Sequence, residues 1–95
     1  MSKKQAYEEK FKARLDELNA KIDVLKAKAK QAEASVKGDY YETIEDLLKK
    51  RSEAQNKLAD LREASDDAWE DMKQGVEESW TSFTTAVKAA ASRFQ

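Results

Sequence analysis

The chain has 95 residues, room for one small domain, and 39% of them are charged, so any core is modest. It contains no proline, cysteine or histidine. Tight turns are therefore scarce, disulfide and thiolate chemistry are excluded, and the commonest general base and metal ligand is missing.

The opening MSKKQAYEEKFKARL has no apolar run of signal-peptide type, and no segment is apolar for long enough to span a bilayer. This predicts a cytoplasmic protein without a membrane span. Residues 1–38 carry ten Lys or Arg against six acids, 39–64 five against seven, and 65–95 three against six. The chain is thus basic at its start and acidic at its end, while its total of -1 gives no pull toward nucleic acid.

Apolar residues recur at Phe11, Leu15, Leu18, Ile22, Leu25, Ala29, Ala32, Val36, Tyr40, Ile44 and Leu47. After Arg51 come Ala54, Leu58 and Leu61, then after Ser65 come Ala68, Met72, Val76, Trp80 and Phe83. The mean step is about 3.6 residues, the repeat of a straight α-helix rather than of a strand or a heptad supercoil. Acid-first pairs four apart, such as Glu8 with Lys12, Glu17 with Lys21 and Glu45 with Lys49, read as a solvated helix surface. Lys26, Lys28 and Lys30 read the same way, because no aromatic residue is interleaved among them for base stacking.

Three places offer a break. Gly38 followed by Asp39 and Glu42 has the form of a helix stop and a capping box. Ser65 followed by Asp66 and Asp67 suits a helix start. Gly75 is the third. The stripe keeps its phase across all three, which predicts at most one real break, near Gly38 or Ser65. Residues 1–63 then form a charged helical rod and 64–95 an aromatic-bearing helical end of a single helical domain, 1–95.

The aromatic end holds both tryptophans. Its exposed positions are Ser and Thr, mediocre helix formers, so burial of apolar residues must hold it helical. Trp69, Met72, Val76, Trp80, Phe83, Val87 and Phe94 are accordingly the expected association residues.

No chemistry is legible. Asp66, Asp67, Glu70, Asp71, Glu77 and Glu78 lack the glycine-bearing loop of a calcium site, and the serines have no histidine to activate them. The reading is a non-enzymatic protein with no cofactor, no metal and no catalytic residue.

ASDDAWEDMKQGVEESW, residues 64–80, and AASRF, residues 90–94, resemble small bacterial coiled-coil proteins of the cyanobacterial stress-response type. The first 60 residues share only the generic Ala, Glu, Lys and Leu pattern of coiled coils, and Gly38 departs from the family's more alanine-like run. The resemblance implies an all-helical protein linked to stress, with no assigned chemistry and no functional residues to carry over.

Together these readings predict an all-α protein of long, nearly straight amphipathic helices in a coiled-coil-like assembly, an antiparallel homodimer that sets basic start against acidic end. A helical hairpin or three-helix bundle is the alternative architecture. The predicted function is a structural or interaction protein that self-associates and docks an unidentified protein partner. The alternative is a surface-coating protein whose stripe opens onto lipid or storage polymer. The narrow seam over residues 11–61 favours helix pairing, because a coating helix needs a broader apolar face.

Overall fold

Ser2 opens the first helix with a capping box. Its hydroxyl accepts the Gln5 N–H at 3.1 Å while the Gln5 side chain accepts the Ser2 N–H at 3.0 Å. The computed structural model describes residues 2–95, and from this cap they form α1 (Lys3–Gln31), α2 (Ala34–Glu63) and α3 (Trp69–Arg93). The protein is all-α.

Two sharp reversals separate the helices. Ala32 and Glu33 take extended conformations, with ψ of 152° and 151°, and turn the chain back within two residues. Ala64 does the same with ψ of 154°. Ser65 then caps the turn that leads into α3, its Oγ accepting the Ala68 N–H at 3.3 Å and its carbonyl the Trp69 N–H at 3.2 Å.

The reversal at Ala64 and Ser65 lies where a break was expected, but the count of breaks and the place of the other are corrected. There are two, and the first falls at Ala32 and Glu33, while Gly38 lies inside α2 and Gly75 inside α3. Neither glycine has positive φ. The phase of the stripe persists across both reversals for a physical reason: residues on either side of a tight turn must face the same core. Phase continuity is therefore as natural for an αα-hairpin as for one unbroken helix. The exceptions are next to the reversals, where Val36 and Ala68 fall in exposed positions.

Of the two architectures, the three-helix arrangement is the one formed, and the pairing expected between long helices occurs within one chain. α2 runs antiparallel to α1 and α3. Near the chain start, Lys4 Nζ donates to the carbonyls of Arg62 and Ala64 at 3.0 and 2.9 Å, at the end of α2. At the far end, Lys28 Nζ donates to the Phe94 carbonyl at 3.0 Å, closing the end of α3. Both lysines satisfy carbonyls that a helix C-terminus leaves without partners and place positive charge at its negative pole. The bundle measures 52 × 20 × 18 Å, whereas one unbroken helix of this length would reach about 140 Å.

The core runs the length of the bundle. Phe11, Leu18, Ile22, Leu25 and Ala29 come from α1, Ile44, Leu47, Ala54 and Leu61 from α2, and Val76, Trp80, Phe83, Val87 and Ala90 from α3. Arg51, which interrupts the stripe of α2, is half-buried and donates to Asn19 Oδ1 on α1 at 2.8 Å. Among the acid-first pairs, Glu45 and Lys49 are exposed as expected, but Glu8 is not on the solvated surface: it is 7% exposed, because its place one step before Phe11 on the stripe turns it toward the core. The ion pair formed among the described residues is Arg93 with Asp39, at 3.8 Å between two exposed side chains, a geometry that contributes little.

Candidate functional site

The residues expected to associate are distributed along α3 and face inward. Trp69, Val76, Trp80, Phe83 and Val87 are buried, while Met72 and Phe94 are half-buried. At one end Trp80 lies against Phe11 with ring centroids 5.3 Å apart and against Phe83 at 5.9 Å. Tyr7 bridges Phe11 and Trp69 at 5.0 and 5.8 Å, and Lys73 caps the Trp69 ring at 4.4 Å. Phe94 is at the opposite end, stacked on Tyr40 at 4.0 Å. The seven thus form no exposed patch: α1 and α2 of the same chain take up most of their surface.

Tyr7, between α1 and α3, has a markedly raised proton affinity. Burial raises its phenol first, and the hydrogen bond to Glu77 Oε1 at 3.1 Å and the charge of that carboxylate add to it, pushing it to about 12. The hydroxyl also donates toward the Lys73 carbonyl at 3.3 Å. A phenol this reluctant to ionise is a structural strut between α1 and α3, not a base at neutral pH.

Two concavities on the described surface bear on function. The larger is an open groove of about 1010 Å³ between α2 and α3. Its floor is Leu47, Ala86, Ala89 and Ala90, small enough on α3 to leave space; its α2 rim carries Asp39, Glu42, Glu45 and Asp46 with Lys49, and Arg93 on the α3 side pairs with Asp39 at 3.8 Å. The smaller is a cleft of about 240 Å³ between α1 and α2, lined by Glu8, Lys12, Leu15, Gln55, Leu58, Ala59 and Arg62, with Trp80 of α3 also on its wall.

The acid run around Asp66 and Asp67 does not converge, and no group of three or more His, Cys, Asp or Glu is arranged to hold a metal among the described residues. No helix among them is long and apolar enough to cross a membrane.

Sequence reasoning passed over the cleft, although a signal was present. One step back from Phe11 along the stripe falls on Glu8, a charged residue at a core position, and it is only 7% exposed. The capping lysines Lys4 and Lys28 had no such signal, since they look like any other surface lysine. No protein-family model, curated protein or solved structure matches the chain.

Proposed function

We propose that the protein is a non-enzymatic helical interaction protein that self-associates, and that the groove between α2 and α3 is its docking face. The observation that carries this reading is the groove itself, an alanine-floored channel with four acids on one rim. Its complement is on the same chain. The outer face of α1 exposes Ala6, Ala13, Ala20 and Ala27 at seven-residue intervals, a surface that allows a helix to approach closely. Exposed Lys26 and Lys30 flank its C-terminal end, opposite in sign to the rim. The occupant is therefore α1 of a second copy. Such contact joins two different surfaces, so it builds rings or open chains rather than a closed pair.

The resemblance of residues 64–80 and 90–94 to stress-response coiled-coil proteins supports a role of this assembly under stress. Opening of the bundle onto lipid or polymer is the weaker reading, because the stripe is spent on the protein's own core.

Sedimentation equilibrium across a range of protein and salt concentrations tests the proposal. Association should weaken as salt rises, disappear in Glu45→Lys/Asp46→Lys, and return when that variant is mixed with Lys26→Glu/Lys30→Glu. A protein that stays monomeric from micromolar to millimolar concentration, or one whose assembly ignores the rim substitutions, would sink it. Binding to neutral vesicles that competes with assembly would favour the coating role instead.

A further inference from the structure

The cleft between α1 and α2 holds a charge that no other group among the described residues pairs with, and whose oxygens open onto the cleft. Glu8 is 7% exposed, yet its carboxylate has no hydrogen bond and no ion pair among the described residues. Lys12 lies one turn further along α1 and Arg62 faces it from α2, both exposed, and neither closes on Glu8 to ion-pair distance. A buried carboxylate is normally paired. Here it stands against a space of about 240 Å³ that Leu15, Leu58, Ala59 and Trp80 line on the apolar side and Gln55, Lys12 and Arg62 on the polar side. A cavity of roughly 150 Å³ already holds a benzene ring, so this one has room for a molecule of leucine's size.

The signs of the charges restrict what fits. An amine alone would satisfy Glu8 but meet Lys12 and Arg62. A carboxylate alone would suit those two and meet Glu8. We infer that the cleft binds a small aliphatic zwitterion of the α-amino acid class. Its ammonium lies on Glu8, its carboxylate lies between Arg62 and Lys12, and its side chain lies against Leu15 and Leu58. The indole N–H of Trp80 is sealed from solvent and has no partner; it takes no part in binding, but Trp80 lines the cleft and so reports on occupancy.

The inference stands apart from the self-association reading, since the groove and the cleft share no residue. Nitrogen-15 NMR of the two indole N–H groups provides the test, with L-leucine, isopentylamine and 4-methylpentanoate titrated into the full chain. Leucine should move the Trp80 resonance saturably, and each one-charge analogue should bind at least about tenfold more weakly, the loss of about one charge-assisted contact. Glu8→Gln should lower leucine affinity by a similar factor. Arg62→Gln, on the solvent-facing rim, should do so without altering the fold and keeps the test valid if Glu8→Gln is poorly folded. No saturable shift with leucine, equal binding of the three probes, or unchanged affinity in both variants would overturn the inference.

Discussion

Trp80 is the largest fully buried side chain, and it carries a donor that nothing accepts. The two facts pull in opposite directions. Its ring fills space between Phe11 and Phe83, so Trp80→Ala should cost about 3–5 kcal/mol of folding stability. Trp80→Phe keeps an aromatic ring there and removes the orphaned N–H, whose burial is itself unfavourable. Urea denaturation should place Trp80→Phe much nearer the parent than Trp80→Ala; equal losses would contradict this account of the site. Tyr7 sets a second expectation through its raised proton affinity. An unfolded tyrosine ionises near 10, the folded one at about 12. Between those values the unfolded chain has released a proton that the folded chain still holds. Stability from this phenol is therefore complete below pH 10 and falls as pH rises toward 12. Tyr7→Phe should flatten that alkaline decline in thermal melts, and a variant that declines as steeply as the parent would assign the loss to other groups.

Among the helices, the glycines are the simplest levers. Gly38 and Gly75 both sit in helical interiors, and a Cβ at either would meet nothing within 4 Å. Replacement by alanine should stabilise the protein by roughly 0.5–1 kcal/mol at each site, with the two effects adding because the sites share no partner. Loss of stability at Gly38→Ala would mean that α2 is not continuous there. The helix ends rest on α1: Lys4→Met removes the cation that holds the last carbonyls of α2, and faster amide exchange over residues 61–64 should reveal it. The reading of the chain as helices was legible from spacing alone, since Phe11, Leu18, Ile22, Leu25, Ile44, Leu47, Leu61, Val76 and Phe83 all fell on the stripe and all are buried. The first reversal was not. Ala32 and Glu33 have no turn-forming side chain, and α1 stops there because its stripe can be covered only if the chain folds back, a tertiary requirement that overrides local preference. Gly38 offered the stronger local signal and is helical all the same. Glu8 reads from its spacing as a solvated partner of Lys12 and is instead buried, because a favourable charge spacing along one helix says nothing of the neighbour that covers it, and only the assembled bundle shows that Lys12 and Arg62 leave it unpaired.

For the molecule as a whole, internal pairing of the stripe means that one chain is a complete folding unit before any assembly. Small-angle scattering at high dilution should give a radius of gyration close to the 15.5 Å of the single bundle, above the ~12 Å of a more spherical domain of this length. A larger value that persists on dilution would show that association precedes folding. Contacts in a bundle of consecutive helices are short in sequence, which places its folding in the microsecond-to-millisecond range. Stopped-flow refolding slower than seconds would point to a different rate-limiting event.

An odd number of helices places residues 2 and 95 at opposite poles of a body 52 Å long. Tension applied between them runs along the axis and loads the helix contacts in shear, so many core contacts must yield together. Tension applied between residues 2 and 64, which share one pole, would instead peel α1 from α2 a turn at a time. The first geometry makes the protein a strut and the second a zipper. With handles at each pair of positions, single-molecule pulling should record the higher rupture force along the axis.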